Sequence, residues 1–589
     1  MQAVKARLFP LKALAVVLSI ASVVSCSSPS NKTVESDFRM MVRLWPAHHN
    51  DSTLTDKLLE AFHEYDFCDE VWFCSDGPAT HDLSWHSPRA RRMGLAAEKM
   101  RAAGIIPSLQ VVALGHGDGT VAFAQAKDTT IHWGTMVGPY GEVTASVNCP
   151  RQSAYLECIG EAFTPYAEAF HPYSIYLDDD MRITNHPPAS FGCFCDTCLA
   201  LFNGQFGYSF DRPSLVGALI ANQGDGQVRK DWITFGQESL AGVVRAISRG
   251  VHRVSPETRI GLQHTAFHDQ LLEGWDWNPM FRAMKEETGL DPVSRPGHGF
   301  YDDHSPRGMI SKGFGIARQV RRLEPGITQI APEIEGYLHK ATGKSARSLC
   351  LETMYYLSMG ASQMSYAIIC GNEEPVSWYA GHYFKALSEW KPFAREYADF
   401  NRGTLPSGID PFLSRELVFR NVEPGEDPWA WRFTSSGAQA VELETLGLPF
   451  APEDPSSPVL MLDVEGVRGM GDSELEGILS SRNIVLDRSS WKNLEGRGLV
   501  QGFNIVEPPA RDCGDYDDPV LSAGARYSSA VSSFRFLERD GVRVVVVPSF
   551  SVNLIAGSGF NGAWRLALLH AFDWASGDAL HAVPPVKMQ

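Results

Sequence analysis

The sequence predicts an α/β chain: a (β/α)8 TIM barrel, then a small β-rich linker and a flavodoxin-like α/β domain. Three observations carry this. Eight short apolar runs recur, helix-like periodicity fills most of the gaps between them, and beyond about residue 403 the pattern changes to shorter strand-like units.

Taken in order, residues 1–25 read as a targeting segment rather than structure. Lys5, Arg7 and Lys12 form a basic start, and an apolar stretch over 13–24 follows, too short to span a bilayer as a helix. It ends in Val23-Val24-Ser25-Cys26, which matches a bacterial lipobox with Cys26 as the lipidated residue. Residues 26–37 are then a polar tether, and the expected location is the bacterial cell envelope, held to the membrane through the lipid. Secretion without lipidation is the alternative.

The barrel is expected over 38–402. Its eight runs are 38–44, 70–74, 105–114, 173–177, 259–264, 297–301, 327–331 and 363–369. Helical periodicity lies over 56–65, 90–103, 153–169, 231–254, 307–324 and 345–359. Long insertions at 115–148 and 181–210 follow the third and fourth runs, on the face where such barrels carry their sites. Residues 403–456 are expected as the linker, with strands at 417–420 and 430–434. Residues 457–589 are expected as the last domain, with strands at 458–463, 484–487 and 542–547 and a helix over 472–479.

Composition narrows the function. Net charge is −17, and loss of the three basic residues of the leader takes it to −20. So acidic a chain is a poor partner for nucleic acid, whose phosphates need a basic surface.

Two motifs carry chemistry. The fourth run ends in three aspartates, Tyr173-Ser-Ile-Tyr-Leu-Asp178-Asp179-Asp180. Crowded carboxylates raise one another's pKa, which keeps one protonated as a general acid. A structural cluster or a cation site is the plainer reading. The seventh run leads into Ala331-Pro332-Glu333-Ile334-Glu335-Gly336, and strand alternation sends Glu333 and Glu335 to the same side. Carboxylates from opposite sides of a barrel mouth are the equipment of glycoside hydrolysis, and their separation decides between retention and inversion. Arg43, Trp45, Asp178, His264, His298, Tyr301 and Trp378 are candidates for holding a sugar.

Cys193-Phe-Cys195-Asp-Thr-Cys198, with Cys149 upstream, has the spacing of a four-thiolate structural zinc site. Outside the cytoplasm a disulfide from Cys149 to one of the three is the alternative. No organic cofactor is expected.

Asn148-Cys149-Pro150-Arg151-Gln152-Ser153, Leu177-Asp178-Asp179-Asp180 and the cysteine loop together resemble glycoside hydrolase family 42, the bacterial β-galactosidases of the retaining clan A barrels. The resemblance implies an oligo- or polysaccharide substrate, Asp180 as acid/base, Asp179 in the place of a substrate-binding Asn, and a nucleophile at Glu333 or Glu335. It also implies homotrimers formed through the flavodoxin-like domain. The sequence departs from the family where Asp179-Asp180 replaces Asn-Glu and where Glu333-Ile-Glu335-Gly336 leaves the nucleophile's register open. An inverting or atypical glycosidase is one rival, and a surface lipoprotein that binds carbohydrate without turnover is the other.

Overall fold

The computed structural model describes residues 37–580 apart from 75–82, 116–132, 222–225, 265–275, 298, 305, 337–342, 370–373, 416–440, 445–446, 508–532, 551–561 and 578. Cys26 with the leader and tether, His298, and the strands expected at 417–420 and 430–434 lie outside the described residues. From Phe38 onward the chain forms one compact unit. Among the described residues no helix is long and apolar enough to cross a membrane.

Eight parallel strands form the barrel: β1 Met40–Leu44, β2 Glu70–Cys74, β3 Ile106–Val111, β4 Ser174–Leu177, β5 Arg259–His264, β6 Val293–Pro296, β7 Glu333–Glu335 and β8 Met364–Ala367. Each pairs with its sequence neighbour from β1 through β6, β7 pairs with β8, and β8 returns to β1. A parallel bridge from Ser294 to Ile330 closes the ring between β6 and β7.

Two strands are displaced from expectation. β6 precedes the expected 297–301, because Pro296 ends the strand rather than barring it; its missing N–H removes no interior ladder bond there. β7 follows the expected 327–331, of which Ile330 supplies just the closing bridge. The helix expected over 153–169 is two helices, Ser153–Ala162 and Thr164–Phe170. Pro165 sits in the first turn of the second, where its missing N–H is tolerated.

Strand alternation fills the barrel in layers. At the N-terminal end Arg39 pairs with Glu70 at 3.3 Å, and Glu70 also accepts from Ser108 at 2.6 Å and Trp72 at 3.0 Å. The middle is apolar, formed by Met41, Trp72, Tyr176, Val293 and Ala331. Gly261 on β5 gives Tyr176 its room: a Cβ there would stand 2.3 Å from Val293 Cγ2 and 3.1 Å from the tyrosine ring. The upper layer, at the C-terminal ends of the strands, is polar and forms the candidate site.

Each insertion contains an antiparallel hairpin among the described residues, Thr135–Val137 with Val143–Asn148 and Thr184–His186 with Ala189–Phe191. The Phe194 amide donates to the Val137 carbonyl at 2.8 Å and joins the two insertions.

The C-terminal sheet runs Asp410–Pro411, Leu460–Leu462, Ile484–Asp487, Val542–Val547, Arg535–Arg539, Asn504–Ile505. Its first four strands pair in parallel and its last two pairings are antiparallel, because Arg535–Arg539 alone runs the other way, so the small α/β domain is a mixed sheet, and its first strand comes from the stretch expected as linker. Helices Asp472–Ser481 and Arg488–Gly496 flank it, the second capped by Asp487, which accepts from the Ser490 amide at 2.7 Å. The helix Arg307–Arg322 binds the barrel to this sheet. Its Arg318 donates to the Pro411 carbonyl at 2.9 Å, Arg322 pairs with Glu453 at 2.5 Å, and Arg321 pairs with Asp454 at 3.3 Å.

Candidate active site

The upper barrel layer is a ring of charge. On β7, Ile334 faces the surrounding core, which turns Glu333 and Glu335 inward together. Glu333 is buried and held by two guanidiniums, Arg43 of β1 at 3.3 Å and Arg295 of β6. Arg295 also donates to Gln110 of β3 at 2.8 Å and Gln263 of β5 at 2.7 Å, and lies 4.2 Å over the Trp72 ring. Gln110 in turn donates to Asp178. Arg43 contacts Cys74 Sγ at 3.0 Å and stacks over Trp45 at 4.4 Å. Carboxylates of β4 and β7 are therefore tied into one network through Arg43, Arg295 and Gln110.

The three aspartates are in three different states. Burial pushes the Asp178 carboxyl up, but a hydrogen bond with Asp179, the charges of Arg43 and Arg295, and the Gln110 donor outweigh it and hold Asp178 below the usual range. For Asp179 the sign reverses. Burial, the neighbouring Asp178 charge and the Asp180 charge all raise its pKa well above the ordinary value, and Arg182 offsets them in part. Asp180 is buried against Arg182 in an ion pair of 3.2 Å. Asp179 is thus the member whose protonated form its surroundings favour, and it remains partly exposed. Glu335, also partly exposed, makes no side-chain hydrogen bond or ion pair with a described residue, although the charges of Arg43 and Arg295 act on it.

Of the expected sugar-holding residues, Arg43, Trp45 and Asp178 stand in this network. His264 is corrected: it is buried on the outer side of β5, stacked on Trp277 at 4.5 Å and bonded to Ser294 at 2.9 Å. Burial lowers its pKa to about 3, so it is a neutral wall residue facing away from the mouth. Trp378 stacks on His382 at 4.2 Å, and Tyr301 is exposed. Arg295, Gln110, Gln263 and Arg182 were not anticipated. Alternation from Gly261 does put Gln263 inward, but a register that placed β6 at 297–301 hid Arg295.

Beside the mouth, Cys149 after the first hairpin meets Cys193, Cys195 and Cys198 after the second. All four are buried, and their sulfurs lie within 4.8 Å of one another. Cys149 Sγ is 3.6 Å from that of Cys195 and 3.5 Å from that of Cys198. A disulfide would need about 2.0 Å. Tetrahedral Zn–S bonds of ~2.3 Å set sulfurs roughly 3.8 Å apart, so donor type and spacing fit a zinc ion.

No family model matches the sequence, and no curated protein matches it. Solved structures do. The β-galactosidase of the psychrophilic Marinomonas ef1 is similar with a TM-score of 0.56 at 11% identity, covering 93% of this chain and 93% of that one. The cold-adapted β-galactosidase of Rahnella sp. R3 gives 0.57 at 11%, over 92% of this chain and 89% of that one. A GH42 β-galactosidase from G. stearothermophilus gives 0.52 at 11%, over 87% and 86%. At this identity the likeness is one of fold, and it spans both the barrel and the C-terminal sheet: the chain has the fold of these β-galactosidases.

Proposed function

We propose that the protein is a glycoside hydrolase that cleaves an oligo- or polysaccharide with retention of configuration. The feature that carries this reading is the presence, at one barrel mouth, of Asp179 after β4, whose pKa burial and its aspartate neighbours raise, and of Glu335 on β7, a carboxylate in no ion pair with a described residue. Asp179 protonates the departing glycosidic oxygen while Glu335 attacks the anomeric carbon, forming a glycosyl ester and releasing the aglycone. Asp179, now ionised, takes a proton from water as that water attacks the ester, which frees the sugar and restores both groups. Glu333 anchors the site through Arg43 and Arg295. This moves the acid/base role from Asp180 to Asp179, because Asp180 is already committed to Arg182.

The fold shared with β-galactosidases makes β-galactosides the first substrates to try. A panel of aryl glycosides assayed with the mature protein should release aryl alcohol from at least one. Binding of glycans with no turnover on any substrate would favour a carbohydrate-binding role instead.

Zinc held by Cys149, Cys193, Cys195 and Cys198 would pin the two insertions together beside the cleft. Elemental analysis of protein purified without added metal should find about one zinc per chain, and Cys149→Ser should lose it together with thermal stability. Metal-free protein that melts unchanged would refute this role. Lipidation at Cys26 completes the reading and would set the enzyme in the cell envelope; incorporation of labelled fatty acid that survives Cys26→Ala would exclude it. Homotrimers are expected of the assembled protein, and a monomer mass in light scattering would rule them out.

A further inference from the structure

The hydrogen bonds of the polar upper layer run in one direction. A guanidinium can only donate, whereas a glutamine amide donates from Nε2 and accepts at Oε1. Arg295 Nη1 donates to Oε1 of Gln110 at 2.8 Å and to Oε1 of Gln263 at 2.7 Å, while its other terminal nitrogen pairs with Glu333. Both amide carbonyls are thereby turned toward Arg295. The opposite end of Gln110 then faces β4: its Nε2 donates to Oδ2 of Asp178 and, at 2.9 Å, to Oε1 of Gln263. Turning the amide over would set donor against donor at Arg295 and acceptor against acceptor at Asp178. Gln110 is buried, so bulk water would not make up for either mismatch.

Oδ2 of Asp178 therefore accepts, and a hydrogen bond from an amide N–H favours the ionised carboxylate. Asp178, Asp179 and Asp180 offer oxygens within 4.8 Å of one another, too close for neighbours to ionise with equal ease. The groups facing Asp178 are Gln110 from β3, Arg43 from β1, Arg295 from β6 and Asp179 beside it. Those facing Asp179 are Asp178, Asp180 and Arg182. Donors and positive charge thus gather on Asp178, while Asp179 stands between two like charges with Arg182 as its offset. The opposite directions of their pKa shifts agree with this.

We propose that Gln110 is a positioning residue for glycoside cleavage: held by Arg295 in a single orientation, it donates to Asp178 and so leaves the proton of the adjacent pair on Asp179. The proposal rests on Asp179 being the acid, but its test does not depend on turnover. Carboxyl 13C NMR of aspartate-labelled protein follows both groups, with the signals assigned by their loss in Asp178→Asn and Asp179→Asn. In the wild type the Asp178 signal should make most of its change at the lower of the pair's two midpoints, and the Asp179 signal at the upper. The reverse order overturns the proposal without any substitution. Gln110→Met keeps the length of the side chain and removes the donor. It should raise the lower midpoint by roughly one to two pH units, the worth of one hydrogen bond to a charged group. Gln263→Met leaves Gln110 on Arg295 and should leave that midpoint unchanged. Loss of packing alone would lower the melting temperature without moving it.

Should Gln110→Met fail to fold, Gln110→Glu keeps an acceptor for Arg295, loses the donor, and should raise the lower midpoint further. An unmoved lower midpoint in the variant that folds overturns the proposal. In an active enzyme Gln110→Met should slow unactivated glycosides more than aryl glycosides with good leaving groups, because Asp178 then competes for the proton. A wild type without turnover, but with the midpoint shifted as described, overturns the hydrolase reading and leaves the assignment of the proton standing. An active wild type with an unmoved midpoint does the opposite.

Discussion

Asp179→Asn should lower turnover of unactivated glycosides by about 10²–10⁴-fold, the usual worth of a positioned general acid. The loss should shrink for aryl glycosides whose leaving group departs without a proton. The direction of the pKa shift adds a second signature. Because burial and the flanking aspartates raise the Asp179 pKa, the working, protonated form persists at low pH and is lost as pH rises through that value. The basic limb of the rate profile is therefore assigned to Asp179, and Asp179→Asn should flatten it. Asp180→Asn breaks the ion pair with Arg182 instead, so its cost should appear mainly as lost stability, with the same dependence on leaving group as the wild type. If Asp180→Asn gives the leaving-group signature and Asp179→Asn does not, the acid/base role returns to Asp180.

The second large effect concerns the two β7 glutamates, which should fail in different ways. Glu335→Ala removes a partly exposed carboxylate in no hydrogen bond or ion pair with a described residue, so the protein should stay folded and lose nearly all turnover. Azide should restore activity by attacking from the vacated side, giving a glycosyl azide whose anomeric configuration is opposite to the substrate's. Glu333→Gln leaves Arg43 and Arg295 buried without their shared counter-ion, a loss of about 3–5 kcal/mol when one partner of a buried pair is removed. Thermal melting separates the two: a large drop for Glu333→Gln and a small one for Glu335→Ala. Azide rescue of the Glu333 variant in place of the Glu335 one would exchange their roles.

Much of this site could be read from the sequence because its pieces are local. The three aspartates end a run of alternating apolar residues, and the cysteine loop is a compact pattern. Both ended where strand geometry and thiol chemistry imply. What stayed hidden depends on partners far apart in the chain. Arg295 sits between Pro292 and Pro296, in a stretch that reads as a break, and its meaning comes from Glu333 and Gln110. Lys312 lies in an amphipathic helix whose charged residues read as solvent-facing, whereas the barrel wall covers it completely. His264 shows the converse. A histidine at a strand end suggests a ligand to substrate, but alternation from Gly261 through Gln263 already sends it to the outer side. The displacement of β7 has a further cause: apolarity marks where a strand is buried, while in a closed barrel the polar upper layer is equally part of the strand.

The ties of the helix Arg307–Arg322 to Glu453, Asp454 and the Pro411 carbonyl bear on how the gene can be cut. A catalytic fragment ended at the apparent barrel boundary, after Arg402, would strip Arg318, Arg321 and Arg322 of those acceptors. One helix would then carry that uncompensated charge at one end and Lys312, whose Nζ donates to the Glu333 carbonyl at 2.5 Å, nearer the other. Shortening or domain exchange at that point disturbs the mouth from behind, without touching a residue that lines it. Trimming after the sheet's last strand would be no gentler, because Phe572 and Trp574 of the helix Gly562–Ser576 are buried and Trp574 packs edge-on against Phe536 at 5.3 Å.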